Sequence, residues 1–218
     1  MGDDPNDEPR EFSSPPCFMH ELDPTWLGLP PADLLPWRKA ERERLIAARL
    51  AVPAAQRAVL TQAITAQLDE VAGDLQGKVV SAWWPFRGEP DLRPWLTQAI
   101  ERGAVAALPV VVQKSAPLQF RAWRPGCRME RGIWNIPVPA DGEAVTPDLV
   151  LAPVVGFDPD CYRLGYGGGY FDRTLATLSS YQAIGIGYAL QAIPTIRPQP
   201  HDIPMQLVVT EAGVTRRP

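Results

Sequence analysis

Apolar and polar positions recur along the chain with two periods, which predict helices and strands respectively. Apolar residues follow the helical period in two early stretches, 37–50 and 53–72, and again between Asp91 and Gly103. Short apolar runs rich in β-branched residues, typical of buried strands, lie between and after these helices. The predicted strands are 78–86, 104–112, 118–123, 149–155, 183–190 and 207–214.

A strand, a helix and a second strand follow one another between residues 78 and 112, which indicates a βαβ unit with parallel strands. In sheets of this kind, ligands bind beyond the carboxyl ends of the strands. Glu89 comes just after the first of these two strands. On the residues alone, a ligand-binding role and an ordinary place at a helix entrance are equally favoured for Glu89.

A glycine-rich segment connects the predicted strand 149–155 to a predicted helix, 170–178. It has the sequence RLGYGGGYFDR from Arg163 to Arg173. Glycines let the main chain approach a ligand, and the N–H groups at a helix start attract anions, so this segment predicts a phosphate site. The two arginines could pair with phosphate oxygens. The segment matches neither the dinucleotide pattern G-x-G-x-x-G nor the P-loop, and a tightly packed structural turn is the alternative.

Two further features have an ordinary and a functional interpretation. Arg38, Arg42, Leu45 and Arg49 share one face of the first predicted helix, because they are spaced by four, three and four residues. The residues alone favour a solvated face here over a set of arginines that bind a polyanion. Trp134 lies in an aromatic, proline-rich segment, where a core position is favoured over a stacking surface for a flat ring.

Composition narrows the class of protein. The 218 residues, 45% of them hydrophobic, favour one domain with a sizeable core, and the net charge of −4 argues against broad nucleic-acid binding. Three scattered cysteines indicate a reducing compartment, and two histidines exclude a multi-histidine metal site. No membrane span or signal sequence is evident, so we expect a cytoplasmic protein. The acidic, proline-rich residues 1–36 predict a flexible leader before a domain at 37–218.

The segment 163–173 resembles the signature loop of the 5-formyltetrahydrofolate cyclo-ligases, also called methenyltetrahydrofolate synthetases. Residues 89–91, 134–137 and 201–211 agree with that family in order and spacing, and the resemblance covers about residues 37–214. It implies a single α/β domain with a central, mostly parallel sheet flanked by helices, similar to sugar-phosphate isomerases and CoA transferases. It also implies ATP-dependent cyclisation of 5-formyltetrahydrofolate to 5,10-methenyltetrahydrofolate, with release of ADP and phosphate.

The same resemblance implies how ATP would be bound. Arg42 matches an arginine that touches ATP phosphates in the family, and Arg38 stands where a lysine is usual. Arg163 and Tyr166 are expected to act in catalysis. The expected ATP-binding residues are Arg38, Arg42, Arg163, Leu164, Gly165, Tyr166, Gly167, Gly168, Gly169 and Tyr170.

The folate is expected to lie against aromatic rings, with its N–H groups bound by a carboxylate. The expected substrate-binding residues are Glu89, Trp134, Tyr166 and Tyr170. ATP use leads us to expect Mg²⁺ on oxygen ligands, with Asp172 and Asp202 as candidates. The expected partners are folate and ATP, without nucleic acid or membrane, for a monomer or weak homo-oligomer. The alternatives are an ATP-dependent enzyme for another formyl or amide substrate, and a non-catalytic folate- or nucleotide-binding relative.

Overall fold

Residues 31–218 are described by a computed structural model, in which helices flank an eight-stranded sheet. The helices are α1 (Leu34–Ala51), α2 (Ala54–Ala72), α3 (Arg93–Glu101) and α4 (Tyr170–Leu175). The strands are β1 (Val79–Ser81), β2 (Val105–Val110), β3 (Gln119–Ala122), β4 (Met129–Arg131), β5 (Pro137–Pro139), β6 (Ala144–Val145), β7 (Leu149–Pro153), β8 (Gly156–Phe157), β9 (Arg163–Leu164), β10 (Gln182–Ile186), β11 (Leu207–Thr210) and β12 (Gly213–Arg216). Most of the predicted leader, 1–36, lies outside the described residues, and its flexibility stays a prediction.

The main sheet has the strand order β12-β11-β10-β7-β1-β2-β3-β6. The strands from β11 to β2 in this order are parallel, and the outer strands pair antiparallel: β12 with β11, β3 with β2, and β6 with β3. The pairs β4–β5 and β8–β9 form separate antiparallel ribbons. The predicted α/β fold with a mostly parallel sheet is therefore confirmed, including the parallel pairing of β1 with β2.

Strand β7 lies between β1 and β10 and is covered on both faces. Leu149 and Leu151 belong to the core cluster formed with α2 and α3. Val150 and Ala152 belong to a second cluster, which includes Leu175 of α4. A parallel strand that is buried on both faces needs apolar residues at every position, which explains the continuous apolar run in the sequence.

Several elements are shorter than the sequence pattern predicted. The strand predicted over 78–86 ends at Ser81, because the chain then leaves the sheet and lines a cavity with Trp83 and Phe86. The strand predicted over 207–214 is a hairpin of two strands, β11 and β12. The helix predicted over 170–178 ends at Leu175. Within residues 31–218, no helix combines the length and apolarity that crossing a membrane would need.

Candidate active site

A cavity of about 420 Å³ opens at the carboxyl ends of the parallel strands. Its walls come from the segments that follow β1, β2 and β7, from the first helix, and from the hairpin β4–β5. All the site residues predicted from the sequence line it together. They are Arg38, Arg42, Glu89, Trp134, Arg163, Leu164, Gly165, Tyr166, Gly167, Gly168, Gly169, Tyr170, Asp172 and Asp202.

The glycine-rich segment between β9 and α4 passes close to arginine side chains. Gly167 and Gly169 have φ angles of 95° and 61°, in the left-handed region that favours glycine. A Cβ atom on Gly167 would lie 3.4 Å from the guanidinium carbon of Arg42, and one on Gly169 would lie 2.9 Å from Nη1 of Arg173. Both glycines therefore satisfy the backbone angles, and Gly169 also leaves room for Arg173, whereas a Cβ on Gly167 would only be in ordinary contact with Arg42.

Several N–H donors around this segment have no acceptor within residues 31–218. The main-chain amides from Gly165 to Gly169 donate no hydrogen bond there. The buried Nε atoms of Arg163 and Arg173 also lack a partner in the described part of the chain. Successive free amides beside guanidinium groups form a concavity that binds anions. The helix that follows has only six residues, so these donors, rather than a helix dipole, are the groups available to an anion here.

Arg42 is half-buried and faces this segment. Its Nε donates a hydrogen bond to the carbonyl oxygen of Gly165 at 2.7 Å. Its two terminal nitrogens reach no carboxylate in the part of the chain that the structure describes. Burial lowers the pKa of Arg42, and the charge of Arg38 lowers that pKa further, while Asp202 opposes both. An anionic ligand would neutralise this guanidinium.

Arg38 is 7% exposed and holds the segment that carries Asp202. Its Nε donates to the carbonyl oxygen of Ile196 at 3.2 Å, and its Nη2 donates to that of Arg197 at 2.9 Å. Nη1 and Nη2 both bind the Asp202 carboxylate. Four of the five guanidinium N–H groups are thus used within residues 31–218, which leaves one for a ligand.

Arg49 is completely buried beneath the cavity. Its Nη2 donates to the hydroxyl of Tyr166 at 2.7 Å, and that hydroxyl donates to Oε1 of Glu89 at 2.8 Å. Arg49 also donates to the carbonyl oxygens of Arg87, at 2.9 Å from Nε, and Val154, at 3.4 Å from Nη1. The solvated face that the residues alone favoured is therefore wrong, because Arg38 and Arg49 are buried on it.

Glu89 is 7% exposed, and its other oxygen accepts the main-chain N–H of Phe86 at 2.9 Å. Burial raises the pKa of Glu89, and the nearby charge of Arg49 opposes this effect. Burial and the Glu89 charge raise the pKa of Tyr166, so its hydroxyl stays protonated and donates to the carboxylate. The indole N–H of Trp83 faces Glu89 and also lowers its pKa, but it lies outside hydrogen-bonding geometry. These contacts place Glu89 in the cavity wall, ahead of the helix that begins at Arg93.

Trp134 stands in the connection between β4 and β5, and 61% of its surface is exposed. The core position that its sequence context favoured is therefore wrong. Trp134 and Asn135 have φ angles of 56° and 61°, which turn the chain so that the indole reaches the cavity rim. The ring of Trp134 lies 5.7 Å from that of Tyr170, in an edge-to-face arrangement. An exposed aromatic pair on a rim offers a contact surface for a flat ligand.

The two aspartates proposed for Mg²⁺ already accept hydrogen bonds. Asp172 accepts from Nη2 of Arg163 at 2.9 Å and from the main-chain N–H of Ile203 at 3.3 Å. Asp202 is bound by Arg38. Among residues 31–218 there is no group of three or more His, Cys, Asp or Glu side chains that could hold a metal ion. Since Mg²⁺ takes one or two carboxylates and completes its shell with phosphate and water, these aspartates fit it only beside a phosphate ligand.

Comparison with known proteins identifies the family. Residues 35–211 match the family model described as the 5-formyltetrahydrofolate cyclo-ligase family. The chain belongs to that family. A 5-formyltetrahydrofolate cyclo-ligase of Mycolicibacterium smegmatis is 33% identical over 181 residues, which cover 78% of this chain and 91% of the relative. The 5-formyltetrahydrofolate cyclo-ligase of Escherichia coli K12 is 34% identical over 143 residues, which cover 62% of this chain and 79% of the relative.

Solved structures of cyclo-ligase relatives share the fold. The NMR structure of the Aquifex aeolicus 5,10-methenyltetrahydrofolate synthetase has a TM-score of 0.71 and 27% identity, and the match covers 82% of this chain and 92% of that one. A Mycoplasma pneumoniae 5,10-methenyltetrahydrofolate synthetase has a TM-score of 0.66 and 23% identity. This match covers 80% of this chain and 98% of that one. The cyclo-ligase family and fold that the sequence motifs indicated are thus confirmed.

Sequence reasoning missed one residue of this cyclo-ligase site. Arg49 shares the helical face of Arg38 and Arg42, and that spacing was the available signal. The sequence could not show that this face turns inward, toward Tyr166 and Glu89. The same spacing places Leu45, which is fully buried, between the arginines, where it forms an apolar cluster with Val155, Leu164, Ile193 and Ile196.

Proposed function

We propose that the protein catalyses the ATP-dependent closure of 5-formyltetrahydrofolate to 5,10-methenyltetrahydrofolate, with release of ADP and phosphate. Family membership and the names of the relatives support this activity. The observation that carries the proposal is the composition of a single cavity. Free amides and the uncompensated Arg42 lie on one wall, and the buried Glu89 carboxylate lies on another.

The triphosphate of ATP would lie along the glycine-rich segment. The amides from Gly165 to Gly169 offer donors, and Arg42 and Arg163 offer the compensating charge. Leu164 and Tyr170 would flank the phosphates at the two ends of this segment. Arg38 has one N–H group left and would contribute mainly by holding the neighbouring segment.

The folate would occupy the aromatic and apolar part of the cavity. Trp134 and Tyr170 would contact the flat pterin from the rim, and Tyr166 would contact it from the nucleotide side. Glu89 would accept hydrogen bonds from pterin or bridge N–H groups with its carboxylate. This contact would hold the attacking nitrogen near the formyl carbon, which is a gain in orientation.

The chemistry explains why these groups are needed together. A formamide oxygen is a poor leaving group, so the formyl oxygen first attacks the γ-phosphorus and ADP departs. The neighbouring nitrogen then attacks the iminium carbon and loses its proton, and inorganic phosphate leaves with the former formyl oxygen. Phosphoryl transfer depends mainly on positioning and charge neutralisation, which Arg163, Arg42 and the amides would supply. Tyr166 would act in catalysis by orienting Glu89, since its hydroxyl proton is committed to that carboxylate.

Mg²⁺ would bind through Asp172, with Asp202 as the second candidate, together with phosphate oxygens and water. The ion would add positive charge next to the phosphates during transfer. Arg163 and Arg38 would then have to share these carboxylates with it.

One assay tests the activity and separates it from the two alternatives. Purified protein is mixed with 5-formyltetrahydrofolate and MgATP, and the absorbance of the methenyl product is followed. We expect product, and we expect Arg163→Ala to abolish most of it. Binding of folate without product would support the non-catalytic alternative. ATP hydrolysis without methenyl product, stimulated by a different formyl or amide compound, would support the related enzyme.

A further inference from the structure

Three side chains from separate segments meet at the cavity, two in its wall and one beneath it. Arg49 comes from the first helix, Tyr166 from the glycine-rich segment, and Glu89 from the connection that follows β1. The hydrogen bonds run from Arg49 to Tyr166 and from Tyr166 to Glu89, at 2.7 and 2.8 Å. The guanidinium of Arg49 also lies 4.0 Å from the same carboxylate oxygen. The three groups thus form one continuous polar chain.

We propose that Arg49 is a positioning residue for the cyclisation, which acts through Tyr166 and couples the nucleotide segment to the carboxylate that holds the folate. This inference rests on the proposed function. Arg49 itself touches neither substrate, because it lies beneath the cavity and does not line it.

The contacts of Arg49 explain how one side chain fixes several segments. Its bonds to the carbonyl oxygens of Arg87 and Val154 hold the connection that follows β1 and the chain immediately after β7. Arg87 lines the cavity, and Val154 follows Pro153, which lines it too. In the described part of the chain, Glu89 is the carboxylate within ion-pair distance of Arg49. A buried arginine with one acidic neighbour favours the charged form of that neighbour.

The position of Tyr166 creates the coupling. Its hydroxyl binds Arg49 and Glu89, while its main chain lies among the free amides proposed for the phosphates. Any displacement of this segment therefore moves a hydrogen-bond donor of Glu89. Ordering of the segment by ATP would orient the carboxylate for the folate, and folate on Glu89 would favour the ordered segment. Such coupling is reciprocal, so each ligand should increase the affinity for the other.

The test compares Tyr166→Phe, which removes only the hydroxyl, with Tyr188→Phe as its matched control. Tyr188 is buried in the core outside the cavity, and its hydroxyl lies 3.5 Å from Oγ1 of Thr61. Calorimetry measures 5-formyltetrahydrofolate binding with and without a non-hydrolysable ATP analogue. We expect wild type and Tyr188→Phe to bind folate more tightly with the analogue, and Tyr166→Phe to lose this gain. We also expect kcat of Tyr166→Phe to fall at least ~10-fold, since a misoriented nucleophile loses effective concentration.

A pH profile of kcat/KM tests the charge of Arg49. The titratable groups that face Glu89 are Arg49 from the first helix and Tyr166 from the glycine-rich segment. Arg49→Met removes the charge that favours ionised Glu89, so the acidic limb should move to higher pH. Arg49→Lys keeps the charge and should leave the limb near its wild-type position, although kcat falls. The control is Arg102→Met, which breaks a surface ion pair with Asp69. This variant should change neither the acidic limb of the kcat/KM profile nor kcat.

The possible results separate the positioning role of Arg49 from the proposed cyclo-ligase activity. Wild type that forms no methenyl product overturns the proposed function. An active wild type overturns the inference if Tyr166→Phe retains both its turnover and its analogue-dependent gain in folate affinity. If Arg49→Met does not fold, Tyr166→Phe still decides the question, because it leaves the buried guanidinium in place.

Discussion

Arg38→Lys is the most informative single substitution, because lysine is the residue that the resemblance to cyclo-ligases leads one to expect there. The geometry indicates that Arg38 acts mainly as a clamp on residues 196–202. Its guanidinium joins the carbonyl oxygens of Ile196 and Arg197 to the carboxylate of Asp202. A lysine keeps the positive charge but has a single nitrogen and cannot form this planar fork.

The expected loss of stability follows from these contacts. Lysine can retain the ion pair with Asp202, so about two hydrogen bonds to main-chain carbonyl oxygens would be lost. The carbonyl oxygen of the exposed Arg197 would still accept from Nε2 of Gln199 at 3.2 Å, so only the buried carbonyl of Ile196 would lose its described donor. A buried acceptor left without a donor costs about 1–3 kcal/mol. For a chain of this size, 1 kcal/mol lowers the melting temperature by about 2–4 °C. We therefore expect Arg38→Lys to melt about 2–12 °C below wild type.

Thermal unfolding followed by circular dichroism measures this change, and the control is Arg44→Lys on the same helix. Arg44 is largely exposed and pairs only with Glu41 in the described part of the chain, so its replacement should cost within about 0.5 kcal/mol. The KM for ATP should rise much less in Arg38→Lys than in Arg42→Lys, because Arg42 has two terminal nitrogens available.

The opposite pattern would refute this reasoning. If Arg38→Lys melts within about 1 °C of wild type while its KM for ATP rises about tenfold, Arg38 is a phosphate ligand and the clamp contributes little. Loss of both stability and ATP affinity would show that the two roles are joined, and a second measurement on Asp202→Asn would then separate them.

Three other substitutions test the site. Glu89→Gln should lower kcat at least ~10-fold in the methenyl absorbance assay. Burial raises the pKa of Glu89, so the carboxylate should become protonated at a pH above the ordinary glutamate range. As pH is lowered, wild-type kcat/KM should therefore begin to fall above that range, and this acidic fall should be absent in Glu89→Gln. Arg163→Ala should raise the KM for ATP at least ~10-fold, and an unchanged value contradicts the phosphate assignment. Trp134→Ala should raise the KM for folate ~2–10-fold with little change in melting temperature, because the indole is 61% exposed. A large fall in melting temperature would show that Trp134 supports the fold instead.

The fold was predictable wherever one local pattern determined it. The apolar run of β7 indicated a strand covered on both faces, and the strand–helix–strand order indicated parallel pairing. Strand lengths were not predictable, because Trp83 and Phe86 continue the apolar pattern of β1 after the chain has left the sheet. Hydrophobicity alone does not distinguish the wall of a cavity from the interior of a sheet.

The site was predictable only where motif and position coincided. The glycines pointed to the segment from Gly165 to Tyr170, while the place of Glu89 after a strand left its role open and the family resemblance assigned it to the substrate. Both line the cavity. The burial of Arg49 was missed, since charged residues at helical spacing are usually solvated and only the tertiary fold turns them inward. For Trp134 the sequence context alone favoured the core, and only the family resemblance placed it at the substrate, because its exposure depends on two successive residues with positive φ.

The backbone conformation of the glycine-rich segment has a consequence for engineering and for divergence. Gly167 and Gly169 have positive φ angles, which disfavour any side chain there, and a methyl group on Gly169 would also press on Nη1 of Arg173 at 2.9 Å. Replacements at these two glycines are therefore poor starting points for altering nucleotide preference. Shortening a facing arginine would not lift this backbone restriction, so libraries should vary the arginines and keep the glycines.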